Sequence, residues 1–318
     1  MTPRSLSKVF VVLALVPCGL LPRSQFAADQ PHREHARAAY LRKDYTRAEE
    51  LYRLALQELG GQDAIRAQVA DILDSLCIVY NAQRRYPETE ALYLRAHDIR
   101  QQLFGPESLE VAESLNRLAH CYHSLQRLDL SITLQNRALS ILEKIYDPRH
   151  VQVAYALQQL GRFYNLHRDY SEAEEAVTRA LAILEEKFGP NAAQLSMVLT
   201  LVGAVYMSQQ RFDEAESAYI RALKLRGSAS GTIMAAFDLN NLAFLYRKTG
   251  KHDKAERLYL IGLQALETDY GSSSPCLIST LQAYKILLSA VNRHREARAV
   301  SERIERIAEV SSGQQCRP

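Results

Sequence analysis

The sequence predicts an all-α chain, a solenoid of about seven stacked helix pairs, on three observations. Leucines recur at Leu73, Leu115, Leu157, Leu199, Leu239 and Leu281, at steps of 42 residues with one step of 40. Around the first five of them the residues three, four and seven positions on share a character, which Lys285 and Leu288 break in the sixth, and those offsets gather on one face of a helix. The composition is that of an ordinary globular chain, 47% hydrophobic and 24% charged, with 13 Gly and 10 Pro in 318 residues. That length suits about two conventional domains or one elongated array. Apolar content is too high and net charge too low for a disordered chain.

Residues 1–28 read as a targeting segment. Arg4 and Lys8 precede an apolar run from Val9 to Val16, extended through Pro17, Cys18 and Gly19 to Leu20 and Leu21. A basic start, a short apolar stretch and then small or polar residues describe a secretory signal. The run is too short, and too broken by Pro17, to span a membrane comfortably. Cleavage near Ala27-Ala28, retention as a membrane anchor and lipidation at Cys18 all stay open, although Pro17 is a poor match to the lipoprotein pattern. The chain is therefore expected to be exported, periplasmic or secreted, or anchored by its N-terminus. The formal charge of +3 also resides here: without Arg4, Lys8 and Arg23 the bases and acids balance. Phosphate tracking needs a basic excess, so no nucleic-acid partner is expected.

A short helix pair comes first, over 33–62, running from Ala36 to Tyr40 and then from Tyr45 to Leu56. Six longer pairs follow, over 64–105, 106–147, 148–189, 190–229, 230–271 and 272–310. In their first helices (A) the small residues Cys77, Ala119, Gly161, Gly203 and Ala243 stand four after the leading leucine. Tyr80, Tyr122, Tyr164, Tyr206 and Tyr246 stand seven after it. The small member lets a second helix approach closely, and the tyrosines are expected in the core. The second helices (B) are expected to open at Tyr86, Leu128, Tyr170, Phe212, His252 and His294. Small residues stand three in, at Thr89, Ser131, Ala173, Ala215, Ala255 and Ala297. They recur ten in, at Ala96, Ala138, Ala180, Ala222 and Gly262. Phe104-Gly105-Pro106, Tyr146-Asp147-Pro148 and Phe188-Gly189-Pro190 are stop signals, since Gly tolerates the left-handed conformation and Pro prevents continuation. Residues 311–318 read as a loose tail.

The small–Tyr pattern on helix A and the aromatic-x-x-Ala…Ala-Leu pattern on helix B resemble the tetratricopeptide repeat. The 42-residue period is similar to the longer form found in kinesin light chains and in many bacterial proteins. Leu239-Asn240-Asn241-Leu242-Ala243-Phe244-Leu245-Tyr246, followed by Ala255-Glu256-Arg257-Leu258-Tyr259, carries the resemblance best, and it covers roughly residues 33–310. It implies a right-handed α-solenoid in which helices A line the concave side. No heptad segment of the kind that joins kinesin light chains to the motor is present, so motor transport is not implied. Stacked copies stabilise their neighbours, and the last needs a polar outer face. Glu296, Arg298, Glu302, Arg303, Glu305, Arg306 and Glu309 around Ala297, Val300, Ile304 and Ile307 supply one.

Catalytic patterns are missing from the sequence: there is no Gly-rich phosphate loop, nucleophile elbow or Cys–His pairing of catalytic kind. His120 and His123 stand three apart on a helix A without further ligands at metal spacing. No enzyme activity, cofactor or metal is expected, and no small-molecule substrate. A concave helical groove holds extended peptides or partner helices, and the register selects its lining. The predicted groove residues are Asn116, His120, His123, Gln158, Arg162, Asn165, Met207, Phe237, Asn240, Asn241, Phe244 and Arg247. Asp71 and Asp74 make the first long copy acidic, where chaperone-type repeats that clamp a terminal carboxylate carry a Lys/Asn/Arg set, so no such clamp is expected there. A protein or peptide scaffold, one that assembles an envelope complex, is the leading expectation. An accessory or regulatory subunit of an enzyme or of a secretion or assembly system is the alternative. Cys276 and Cys316 could close a disulfide loop of about 40 residues, although the loose tail makes two free thiols the simpler account and the pairing stays open; Cys77 and Cys121 are not expected to pair with each other.

Overall fold

The computed structural model describes residues 31–59, 66–227 and 232–310. Fourteen α-helices follow one another along them, and no strand occurs among the described residues. Of these residues, 31–187 form one compact unit and 188–310 a second. The first unit holds α1 (Pro31–Leu41), α2 (Tyr45–Glu58), α3 (Arg66–Ala82), α4 (Tyr86–Phe104), α5 (Leu109–Ser124), α6 (Leu128–Ile145), α7 (Val151–His167) and α8 (Tyr170–Phe188). The second holds α9 (Ser196–Ser208), α10 (Phe212–Arg226), α11 (Thr232–Lys248), α12 (His252–Tyr270), α13 (Ile278–Ala290) and α14 (His294–Val310). The six long B helices begin at the six predicted residues. The targeting segment, Cys316 and the C-terminal tail lie outside the described residues.

Every A–B turn is closed in one way. The residue two before helix B takes a left-handed conformation: Lys43, Arg84, Gln126, Arg168, Gln210 and Asn292, with φ between 60 and 77°, and Gly250 at 75°. The next backbone N–H then reaches back to a carbonyl near the end of helix A, as in Arg85 N to Tyr80 O (2.9 Å), Arg127 N to Tyr122 O (2.8 Å) and Lys251 N to Tyr246 O (2.8 Å). This bond satisfies a carbonyl that the helix end leaves unpaired. The accepting residue is usually the periodic tyrosine.

Within each pair the small residues meet. Cys77, Ala119 and Ala243 on helices A, and Thr89, Ser131, Ala173, Ala215 and Ala255 on helices B, are all fully buried. At Gly161 an added Cβ would stand 2.5 Å from Val177 Cγ1, and at Gly203 it would stand 2.6 Å from Tyr219 Cε1. Only glycine allows those two crossings. Consecutive pairs are joined by a polar clasp at the tyrosine. Tyr80 donates to Glu49 at 3.0 Å, and Arg85 pairs with the other oxygen of Glu49 at 2.6 Å. Tyr246 donates to Glu216 at 2.7 Å with Lys251 at 3.1 Å; in the last pair, where Leu288 fills the tyrosine position, Tyr284, three after Leu281, donates to Glu256 at 2.7 Å with Arg293 at 2.7 Å. Buried tyrosine hydroxyls need such partners, so these side chains both fill the core and tie one pair to the next.

The last helix closes the second unit as predicted. Ala297 and Ile307 are buried, Val300 and Ile304 pack on the core, and Glu296, Arg298, Glu302, Glu305, Arg306 and Glu309 are exposed. Arg303 instead turns inward to pair with Glu267 at 2.6 Å.

Candidate peptide-binding face of the A helices

The 42-residue period places the predicted residues in columns, each column taking one side chain from every helix A. In the first unit His120 on α5 and Arg162 on α7 occupy the same column, and their side chains touch. Arg162 Nη2 lies 3.1 Å from His120 Nδ1 and donates to Gln159 Oε1 at 2.7 Å. His123 and Asn165 share the next column, one turn on. The Phe163 ring packs against both imidazoles, with centroids 5.6 Å from His120 and 5.5 Å from His123, and the Arg162 guanidinium stands 5.2 Å from its centre. Burial, then the Arg162 charge and the neighbouring His123, brings the His120 pKa down to about 3. Burial followed by Arg162 brings His123 to about 4. Both rings are therefore neutral at pH 7. Asn116 is half-buried, whereas Gln158 is buried at 6% exposure and offers little to a ligand.

The acidic end is not free charge. Arg100, from α4, crosses to bind Asp71 at 3.1 Å and Asp74 at 2.6 Å, while Arg117 on the next helix A reaches Asp74 at 3.3 Å. Arg33 lies 3.9 Å from Asp71. The period gives only a partial signal for this network: Arg100 is in phase with Arg226, three periods on, while Leu142 and Leu184 fill the same position in the two copies between.

In the second unit Met207, Phe237, Asn240, Asn241, Phe244 and Arg247 are all half-buried on α9 and α11. The Arg247 guanidinium stands 5.0 Å from the Phe244 ring centre. Asn240 donates to Thr280 at 2.9 Å, a bond between neighbouring A helices. One copy earlier Thr200 donates to Asp238 at 2.7 Å, and Arg226 holds the second oxygen of this fully buried carboxylate at 2.5 Å. Sequence reasoning missed Asp238 and also Ile286, which stands in the Phe244 column on α13 and is 51% exposed. Repeating the leading-leucine count once more would have found Ile286. Met197, two before its leading leucine, is likewise exposed. This part of the face is apolar, with amides between the apolar side chains.

The arrangement matches known proteins in fold. The family profile described as tetratricopeptide repeat matches residues 68–129, 110–186 and 234–309, and a second profile of the same description matches 198–230. BtubC (BKLC) from P. vanneervenii superposes with a TM-score of 0.58 at 20% identity, over 72% of this chain and 91% of that one. The nearly identical TPR-like repeats of a Podosopora anserina protein described as a kinesin light chain give 0.56 at 16%, over 65% and 100%. The apo form of RapI gives 0.58 at 14%, over 85% and 97%. No curated protein matches the chain.

Proposed function

The chain belongs to the tetratricopeptide-repeat family, and on that premise we propose that this protein–protein interaction scaffold holds an extended peptide or partner segment along its A helices and performs no catalysis itself. The ladder of half-buried side chains on those helices carries this reading. Asn116, His123, Asn165, Met207, Asn241 and Phe244 are sheltered but not fully buried, and they vary in chemistry from copy to copy while the packing positions beneath them repeat. Amides that donate and accept suit a peptide backbone, and Met and Phe accommodate varied apolar side chains.

The same reading has the scaffold assembling a complex outside the cytoplasm, delivered or tethered by residues 1–28. The basic and apolar pattern of that segment supports it. So does Cys276, which is disulfide-bonded, because disulfides persist in oxidising compartments. A photo-crosslinking residue placed at Asn116 or Asn241 in the native host tests the interaction. Discrete polypeptide adducts are expected at both positions and not at exposed Glu175 on α8. Adducts at Glu175 alone, or at none of the three, refute the reading.

A further inference from the structure

Two buried arginines among the described residues face carboxylates: Arg100 binds Asp71 and Asp74, and Arg226 binds Asp238. Arg162 differs. Among the described residues its polar partners are Gln159 Oε1 and His120 Nδ1, both neutral, and its Nε is shielded from solvent and unbonded. Burial is the one influence on its charge, lowering its pKa to about 10, and no carboxylate offsets it. A guanidinium has no acceptor, so His120 Nδ1 must accept from it, which leaves the ring's proton on Nε2. A permanent positive charge, imidazole donors and no counter-charge thus share one half-buried spot on the A-helix face. Removing a charge from water without a counter-charge is destabilising, and among the described residues only the Phe163 ring and two neutral acceptors offset that cost for Arg162.

We propose that Arg162, with His120 and His123 beside it, is the subsite that receives a carboxylate carried by the polypeptide partner. The inference rests on the A-helix face being the binding face. It is distinct from a clamp in the first long copy, whose neighbourhood holds Asp71 and Asp74. Guanidinium donors match a planar carboxylate, and the neutral imidazoles add N–H donors without repelling Arg162. The carboxylate comes from an Asp or Glu side chain or from the partner's C-terminus.

The test uses the chain from residue 29 onward and four labelled probes at low salt: hexaglutamate with both ends blocked, hexaalanine with a free C-terminus, fully blocked hexaalanine and blocked hexaglutamine. One of the two carboxylate probes is expected to bind, and which one identifies the source. Arg162→Gln should weaken that binding at least ten-fold while unfolding at the same or a higher temperature, since it removes an unpaired charge. Arg100→Gln should unfold at a lower temperature. The bound probe should also raise the His120 ring pKa, read by NMR. Carboxylate probes that bind no better than their neutral controls, an Arg162→Gln chain that binds as wild type, or a His120 ring that does not respond would each overturn the proposal. The groove reading fails separately, through loss of the crosslinks at Asn116 and Asn241.

Discussion

Asn240 on α11 donates to the Thr280 hydroxyl on α13 at 2.9 Å, so one of two adjacent asparagines is committed to holding neighbouring A helices together. Its neighbour Asn241 is half-buried and takes no part in that bond. Asn240→Ala should therefore lower stability by about 1 kcal/mol, the net worth of a neutral hydrogen bond. Asn241→Ala should leave stability within about 0.5 kcal/mol of wild type and weaken peptide binding about three- to ten-fold. Urea unfolding and a crosslinking titration separate the two effects. An Asn241→Ala chain that crosslinks as wild type would return this face to a merely solvated one.

The glycines divide by what lies above them. Gly203→Leu drives a side chain into the Tyr219 ring, where even a Cβ would stand at 2.6 Å. Such overpacking costs about 1–3 kcal/mol or more. At Gly262 an added Cβ meets Ala236 and Leu239 at an ordinary 3.8 Å. Gly262→Ala should stabilise α12 by roughly 0.5–1 kcal/mol. Equal destabilisation by both would show that the close approach at Gly203 does not set the helix spacing.

Acid should weaken the first unit through its histidines. The folded-state pKa values of His120 and His123, about 3 and 4, lie below the unfolded value of about 6.5. Between these limits the unfolded chain binds more protons, so stability is full above about pH 6.5 and falls as the pH drops toward 4. The melting temperature should decline over that window, and His120→Gln with His123→Gln should flatten the decline. An unchanged slope in the double variant refutes the assignment.

Cys77 and Cys121 are free and buried, and Cys276 is disulfide-bonded. Alkylation of the denatured, unreduced chain should label Cys77 and Cys121 and spare Cys276 and Cys316. A bridge between the latter two closes a loop of about 40 residues, and its reduction should cost roughly 3–4 kcal/mol. Labelling of all four without reductant would remove the bridge.

Export is checked with a reporter that is active only outside the cytoplasm, fused after residue 28. Activity is expected, and it should disappear when Arg4 and Lys8 are replaced together with Glu. A reporter silent with the native segment, on a chain that keeps Met1, would place the protein in the cytosol.

Much of this fold is legible because packing in a repeat array is periodic. The B-helix starts, the buried small residues and the tyrosine column all follow from counting 42. The tyrosines were expected as core; Tyr80 and Tyr246 are, whereas Tyr122, Tyr164 and Tyr206 are half-buried, and the hydroxyls of Tyr80 and Tyr246 also hold Glu49 and Glu216, as Tyr284 holds Glu256. That was not legible, because the acid lies on the preceding helix B and its base in the turn ahead. Arg100 with Asp71 and Asp74, and Arg226 with Asp238, were equally hidden. The two arginines are in phase, three periods apart, but their acids stand at different offsets from the leading leucine, and Leu142 and Leu184 fill the position between them, so the pairing itself leaves no periodic trace. Gln158 shows the opposite failure, a residue in phase with the binding face that its neighbours nevertheless cover.

The left-handed turn residue ends helix A identically in all seven pairs, although Lys, Arg, Gln, Gly and Asn fill it by turns. Each junction is therefore indifferent to which copy it belongs to. Excising residues 85–126 from the first unit would set Arg84 before Arg127, join two like turns and leave Glu49 facing Tyr80, with Arg127 taking the place of Arg85. A gene encoding such a chain can change its number of copies by unequal recombination without passing through a protein that has lost its folding instructions. Array length is then a trait that selection can adjust in whole steps, separately from the chemistry carried by any single copy.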